Sequence, residues 1–141
     1  MDLPQPDITE VSRPYWQALR EGRLVFQRCG CGHPWLPARS ECPACLASAA
    51  GNARWEQASG RGTLVSWVVY HTASHPAFES RLPYSVALVQ LEEGPRLLTN
   101  IVDGPEALTA EVADAPVELK IEWEGDLALA RFRLAARAPA A

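Results

Sequence analysis

The sequence predicts a mainly β protein in which a short helix and a small metal-held ribbon precede a five-stranded barrel. The chain has 141 residues, and all four of its cysteines lie within one stretch of seventeen residues, as is typical of a metal-binding ribbon. Five strand-like segments follow, with a long connection between the third and the fourth. That arrangement is typical of a closed Greek-key barrel of the OB type.

Residues 1–22 are predicted to form an arm and a short helix. The arm is rich in proline and acidic residues, whereas Ser12 is a suitable N-cap for a helix that ends near Gly22. Tyr15 and Trp16 lie on one side of this helix. This side either packs on its own domain or forms a partner-binding face. Packing is favoured, because exposed aromatic residues mark interfaces only when they form a patch.

Residues 23–50 are predicted to form a zinc ribbon. Four thiolates around Zn²⁺ make a closed tetrahedral site, which stabilises a fold and leaves no open position for substrate. The second cysteine pair has the usual C-x-x-C spacing, but the first pair is one residue short. The first pair can still ligate if Gly30 adopts backbone angles closed to other residues, or His33 could replace one thiolate. The predicted ligands are Cys29, Cys31, Cys42 and Cys45.

Two other interpretations of the cysteines stay open at this point, a degenerate site that keeps four small buried residues and a pair of disulfides. Disulfides are disfavoured, because residues 1–4 lack the basic region and apolar run of a secretory signal. We therefore expect a cytoplasmic protein. No stretch reaches the ~20 consecutive apolar residues of a membrane span, so we also expect it to be soluble.

Residues 54–135 are predicted to form the barrel, after an uncharged hinge at 46–53 and before a tail at 136–141. The five strands are expected at 63–71, 84–91, 96–102, 117–124 and 127–134, with the second and third in an antiparallel hairpin. A short helical segment is expected around 106–112. The buried side of the last strand is predicted to comprise Leu127, Leu129 and Phe132.

The net charge of −4 is unevenly distributed. Residues 13–45 carry five arginines and two glutamates, a balance of +3, whereas residues 54–134 carry seven basic and twelve acidic residues, a balance of −5. A basic ribbon can contact phosphates, whether of a nucleic acid or of a nucleotide cofactor such as coenzyme A. The acidic barrel has the wrong sign for a phosphate backbone, which disfavours a nucleic-acid-binding module.

The residue content argues against catalysis by this chain alone. The ribbon uses every thiol, and zinc-bound thiolates in a closed site are poor nucleophiles. His71 and His75 could contact a ligand or act as an acid–base pair, but no carboxylate or nucleophile stands at an informative spacing from them. The sequence also lacks a P-loop, a dinucleotide-binding glycine motif and a serine nucleophile elbow.

Short motifs follow one another in a fixed order through nearly the whole chain. They are Tyr15-Trp16, Gly22-x-Leu24, the Cys29/Cys31 knuckle with Gly32, Pro37 and Arg39, Cys42-Pro43-x-Cys45, Trp55, Ser59-Gly60-x-Gly62, the strand from Thr63, Phe78, Pro83-Tyr84-x-x-Ala87 and Gly94-x-Arg96. In this order they resemble the family of small proteins that pair a rubredoxin-like zinc ribbon with a C-terminal OB fold and associate with acyl-CoA enzymes. The first knuckle departs from the C-x-x-C that is usual in the family.

The resemblance implies an accessory role. Members of this family are found beside thiolases, hydroxymethylglutaryl-CoA synthases, acyl-CoA hydratases and aldolases, where they bridge subunits or help to hold the acyl-CoA. We therefore expect a non-catalytic subunit of a hetero-oligomer, with a thiolase-like catalytic partner as the first choice. The alternatives are a subunit of an acyl-CoA hydratase or aldolase, a nucleic-acid-binding module, and a free-standing hydratase or thioesterase, for which catalytic residues are lacking.

Coenzyme A contacts are predicted at five residues on the strength of this resemblance. A coenzyme A site needs arginine or backbone donors for the phosphates and an apolar slot for the rest of the molecule. The candidates are Arg39 and Arg81 for the phosphates and Trp67, Phe78 and Tyr84 for the slot. Each also has a simpler interpretation, because the arginines can be surface residues and the aromatic side chains can pack in or around the barrel.

Overall fold

The structure is a computed structural model that describes residues 2–135, so Met1 and the predicted tail at 136–141 lie outside the described residues. The elements of this part of the chain are α1 (Arg13–Arg20), β1 (Val25–Cys29), β2 (Pro34–Trp35), β3 (Ala53–Gln57), β4 (Arg61–Tyr70), β5 (Tyr84–Leu91), β6 (Arg96–Thr99), β7 (Pro116–Glu124) and β8 (Leu127–Leu134). Short 3₁₀ turns occupy Pro76–Arg81, Pro105–Ala107 and Ala110–Val112. No helix within residues 2–135 combines the length and apolar character needed to cross a membrane.

The helix α1 forms where the sequence predicts it. Ser12 precedes its first turn, but its side chain makes no capping hydrogen bond and accepts from the Thr9 amide instead. The chain leaves the helix at Gly22, whose φ of 85° is in the region that favours glycine. Leu19 is fully buried. Tyr15 and Trp16 are half-buried and pack against the main apolar core, which confirms that the aromatic side of the helix packs on its own domain.

The ribbon is built on a three-stranded antiparallel sheet in the order β2-β1-β3. The central strand β1 pairs with β2 through Gln27 and Trp35, and it pairs with β3 over its whole length. Residues 54–57, which we placed at the start of the barrel, therefore pair with the ribbon strand β1. Pro34 begins β2, and the prolines after the first cysteine pair favour the extended backbone of this crossing.

The second sheet is a five-stranded barrel in the order β6-β5-β4-β7-β8. β5 and β6 form the predicted hairpin, and β4 pairs with both β5 and β7. A parallel bridge between Ile101 and Phe132 closes the barrel. There the Val102 amide donates to the Phe132 carbonyl at 2.8 Å, and the Phe132 amide donates to the Asn100 carbonyl at 3.1 Å. Strand order and closure are those of an OB fold, as predicted.

One apolar core joins the ribbon to the barrel. Phe26 of β1 and Leu24 just before it are buried in the same cluster as Leu64 and Phe132 of the barrel. Leu19 of α1 belongs to this cluster as well. Burial of a side chain the size of leucine or phenylalanine contributes roughly 1.5–3 kcal/mol. The barrel therefore fixes the position of the strand that leads into the first cysteine pair.

One prediction about the barrel is wrong, and another is confirmed only in part. Phe132 is buried, but Leu127 and Leu129 are only half-buried, and Ala128 faces the core in their place. Side chains alternate along a strand, so residues at odd positions cannot share a face with Phe132. The segment expected to be helical around 106–112 forms two short 3₁₀ helices, at Pro105–Ala107 and Ala110–Val112, and no α-helix.

Candidate zinc centre and barrel cavity

Each cysteine pair lies on a tight turn of the ribbon. In the first turn, the Gly32 amide donates to the Cys29 carbonyl at 2.8 Å. In the second turn, the Leu46 amide donates to the Cys42 carbonyl at 2.9 Å, and the Cys42 amide donates to the Ala47 carbonyl at 2.9 Å. These backbone bonds fix both turns without using the sulfur atoms, which stay free to bind a metal.

The four sulfur atoms gather in one group. All four Sγ atoms lie within 4.8 Å of one another. Cys29 Sγ is 3.6 Å from Cys45 Sγ, and Cys31 Sγ is 3.8 Å from Cys42 Sγ. These distances exceed the roughly 2.05 Å of a disulfide bond. Zinc–sulfur bonds of about 2.3 Å in a tetrahedron place the sulfur atoms about 3.8 Å apart. The group therefore fits a structural zinc ion with four thiolate ligands.

The surroundings of Cys42 favour its thiolate. Burial by itself raises the pKa of this thiol. Hydrogen bonds outweigh burial and lower the pKa to about 7; they come from the backbone of Cys45 and Ala44 and from the side chains of Cys45 and Cys31. Zinc binds the thiolate form, so a thiol that ionises near neutrality is a better ligand. Cys42 and Cys29 are buried, and the other two cysteines are exposed.

The first turn depends on Gly32. The φ of Gly32 is 96°, in the region that favours glycine, whereas the backbone at Gly30 does not have a positive φ. Our expectation that Gly30 supplies the unusual backbone angles is therefore wrong. His33 is absent from the ligand group found among residues 2–135, and its ring stacks 6.4 Å from the ring of Trp35. The short pair thus contributes both of its cysteines.

Three of the five predicted coenzyme A contacts border one cavity. Phe78, Arg81 and Tyr84 line a space of about 250 Å³ beside the start of β5. The ring centroids of Phe78 and Tyr84 are 6.0 Å apart. Other lining residues come from the strands and from the segment that closes the barrel, and they include Ser85, Asn100, Ile101, Glu122 and Arg131. Sequence reasoning missed these residues, because only the closed barrel brings β5, β7 and β8 together.

The arginines of this cavity are paired with carboxylates. Arg81 donates to both carboxylate oxygens of Glu124, at 2.6 and 3.0 Å, and Arg131 lies 3.0 Å from Glu122 and from Glu124. The hydrogen bond from Arg81 lowers the pKa of Glu124 to about 2. Burial of the carboxylate opposes this shift, and a second hydrogen bond from Arg131 adds to it. Glu124 is therefore ionised at neutral pH, and a phosphate would have to share Arg81 with it.

The other two predicted contacts lie apart from this cavity. Trp67 is half-buried and packs against the main core. Arg39 is exposed, and its backbone is held by the side chain of Gln27, which accepts from the Arg39 amide at 2.9 Å and donates to the Arg39 carbonyl at 3.2 Å. The structure thus does not bring all five predicted contacts into one site.

The two histidines after β4 are exposed. His75 Nδ1 accepts a hydrogen bond from the Ala77 amide at 3.1 Å and so caps the 3₁₀ turn at Pro76–Arg81. This bond gives His75 a structural role. His71 has no comparable contact with a carboxylate or a nucleophile in the part of the chain that the structure describes.

A cysteine ribbon followed by a closed five-stranded barrel defines a zinc-ribbon and OB-fold protein. Residues 16–49 match the family described as ChsH2, rubredoxin-like zinc ribbon domain, and residues 55–122 match ChsH2, C-terminal OB-fold domain. The chain is 33% identical over 124 residues to a DUF35 domain-containing scaffold protein of Methanothermobacter thermautotrophicus, covering 84% of this chain and 89% of that protein. It belongs to this family of DUF35 scaffold proteins.

Two further similarities are to a hydratase subunit and to an aldolase chain. The chain is 35% identical over 139 residues to a probable enoyl-CoA hydratase alpha subunit of Thermomonospora curvata, but it spans only 39% of that protein's length. In structure it resembles a chain of the Ltp2-ChsH2(DUF35) aldolase, with a TM-score of 0.77 and 36% identity. This likeness covers 94% of our chain and 100% of the aldolase chain.

The role of Gly32 is testable with a pair of matched alanine variants. A Cβ atom at Gly32 meets nothing within 4 Å, so Gly32→Ala tests the positive φ alone. We expect this variant to lose about 1 kcal/mol of unfolding free energy, measured by denaturant titration of the zinc-loaded protein. The control is Gly30→Ala, whose Cβ would lie at an ordinary 3.5 Å from the Asn52 carbonyl. Equal losses in both variants would contradict the assignment.

The zinc site predicts one zinc ion per chain. Cys42→Ala removes a buried ligand, so we expect it to lose zinc and more than about 4 kcal/mol of unfolding free energy, because loss of a structural metal is among the largest single-residue effects. Metal analysis and thermal denaturation measure the two effects. Ala44→Ser, an exposed change in the same turn, should keep both. A wild-type protein that stays folded without metal would show that the site is not structural.

Proposed function

We propose that this chain is a non-catalytic accessory subunit of an acyl-CoA hydratase or aldolase complex. The observation that carries the proposal is the likeness, over both the ribbon and the barrel, to a whole chain of the Ltp2-ChsH2(DUF35) aldolase. The similarity to the T. curvata hydratase subunit supports the same class of partner. A thiolase-like partner, our first expectation, stays a prediction, as does a cytoplasmic location.

The chemistry of the site supports an accessory role. The four thiols converge on one metal-sized space, so zinc binding leaves no cysteine available as a nucleophile. His75 caps a turn, and Glu124 is held as a carboxylate by two arginines. These two groups, which could act as acid or base, are thus engaged in structure. The catalytic residues of the proposed complex would belong to its other subunit.

Nucleic acid binding is less well supported. Binding to a phosphate backbone requires free cationic side chains. Three arginines of the barrel strands are instead paired with glutamates, at 3.2 Å for Arg61–Glu92, 3.0 Å for Arg131–Glu122 and 2.8 Å for Arg133–Glu118. These pairs leave little uncompensated positive charge on the barrel.

We further propose that the cavity beside β5 borders the acyl-CoA in the assembled complex. It combines the aromatic rings of Phe78 and Tyr84 with polar groups, as ligand sites commonly do. Because Arg81 is already paired with Glu124, the aromatic rings rank ahead of Arg81 as ligand contacts. Arg39 and Trp67, which lie outside this cavity, stay predictions.

The accessory role predicts that the purified chain has no turnover of its own. A panel of enoyl-CoA, 3-hydroxyacyl-CoA and saturated acyl-CoA esters should show no hydration, retro-aldol cleavage or hydrolysis above background. Co-expression with a hydratase or aldolase subunit from the same organism should yield a stable complex, and activity should require both chains. Turnover by the chain alone would overturn the proposal.

The cavity predicts an effect on substrate binding in that complex. Phe78→Ala removes an aromatic contact, so we expect KM for the acyl-CoA to rise roughly tenfold, the equivalent of about 1.4 kcal/mol, with little change in kcat. Trp123→Ala is the control, because Trp123 is an exposed aromatic residue outside the lining of this cavity. Unchanged KM in Phe78→Ala, or equal effects in both variants, would remove the cavity from the substrate path.

A further inference from the structure

The outward side of β4, β5 and β6 is apolar. Strand register places Tyr70 beside Tyr84, Val68 beside Val86, and Leu88 beside Leu98, and the intervening residues of β5 face the core. Leu98 is 73% exposed and Val68 is 53% exposed. We call the set Val68, Tyr70, Tyr84, Val86, Leu88 and Leu98 the apolar face. Exposed apolar residues that form a continuous patch mark an interaction surface.

A groove continues the apolar face towards the N-terminal half of the chain. One wall consists of Leu88, Leu97 and Leu98 of the barrel, and the opposite wall consists of Tyr15, Trp16, Leu36 and Pro37. The groove encloses about 370 Å³. It lies beside β6, whose backbone pairs with β5 on one side. On the other side β8 approaches from Thr99 onward, where the Thr99 hydroxyl donates to the Ala130 carbonyl at 2.7 Å. Within residues 2–135, no strand pairs with this edge of β6 at Arg96–Leu98. An unpaired strand edge beside an apolar groove accommodates an extended peptide.

The charge at the rim of the groove specifies the peptide further. Arg96 borders the groove, and its Nε donates to Gln90 Oε1 at 3.1 Å. Among residues 2–135 it forms no ion pair, unlike the barrel arginines Arg61 and Arg131. A carboxylate on the incoming peptide would complement this cation.

We propose that the groove binds an extended apolar segment of the catalytic subunit, which pairs with the open edge of β6 and places a carboxylate against Arg96. This inference rests on the proposed function and adds the surface through which the two subunits meet. A small apolar ligand would leave the edge of β6 unpaired. A second copy of this chain, with the two β6 strands antiparallel and centred between Leu97 and Leu98, would place Thr99 opposite Arg96 and so would supply no carboxylate.

The test measures the affinity of purified variants for the catalytic subunit recovered by co-expression. Leu98→Asp puts a charge into the groove, and Arg96→Glu reverses the charge at its rim. We expect each to weaken binding by at least roughly tenfold, because central apolar and arginine contacts dominate interface energetics. The matched control is Leu46→Asp, a leucine that is 75% exposed on the second cysteine turn and lies outside the groove. It should bind within about twofold of the wild type, since surface changes away from an interface cost little.

Zinc content and melting temperature of each variant establish that it is folded. Amide hydrogen exchange in the complex should show new protection in β6. If Leu98→Asp and Arg96→Glu keep wild-type affinity and Leu46→Asp loses it, the docking surface lies on the ribbon. That result would overturn this inference and leave the proposed function unaffected. A dimer of the isolated chain that Leu98→Asp dissolves would assign the groove to a second copy and also overturn it. Absence of any wild-type complex would instead overturn the proposed function.

Discussion

The strand β1 is the element on which both halves of the molecule depend, because its two ends meet different physical requirements. Phe26 near its start is fully buried in the core of the barrel, and Cys29 at its end supplies a sulfur atom to the zinc centre. A strand is too stiff to let these two positions adjust independently. Metal binding in the ribbon and packing in the barrel are therefore coupled through one short segment of backbone, and β3 strengthens the coupling by pairing with the whole of β1.

The pairing of β1 with β3 also reduces the excess positive charge of the ribbon. The sequence assigns Arg28 to a basic ribbon and Glu56 to an acidic barrel, but β1 and β3 are neighbours, and Arg28 Nε lies 2.8 Å from Glu56 Oε2. Arg54 also pairs with Glu56, at 2.7 Å. The hydrogen bond from Arg28 lowers the pKa of Glu56, which keeps the carboxylate ionised beside the two cations. The excess positive charge that we counted along the ribbon is thus partly neutralised by a residue from the next segment, and the ribbon is a weaker phosphate-binding surface than its composition indicates.

Residue patterns predicted the local structure well and its assembly incompletely. The helix and the β5–β6 hairpin follow from a terminating glycine and from alternation, and the extended backbone after the first cysteines follows from proline. All of these signals act over a few residues. Cysteine spacing likewise predicted the grouping of the four sulfur atoms that the structure shows. The Arg81–Glu124 pair joins residues 43 positions apart, and the cavity around it exists only because Ile101 meets Phe132. No local pattern encodes these contacts. The error at Gly30 is local instead, because the glycine with the positive φ, Gly32, stands after the second cysteine and not between the two.

The groove beside β6 shows why the two halves have to be present together. Its walls come from opposite parts of the chain, with α1 and the segment after β2 on one side and β5 and β6 on the other. The hairpin between β5 and β6 also approaches the ribbon, since a Cβ atom at Gly94 would lie 3.3 Å from Cγ of Pro34. Close packing at this point sets the distance between the walls. A zinc ion would then fix the ribbon turns that hold Leu36 and Pro37 opposite the barrel. Its role would be to shape a binding surface made largely of leucine and aromatic side chains, and it would take no part in chemistry.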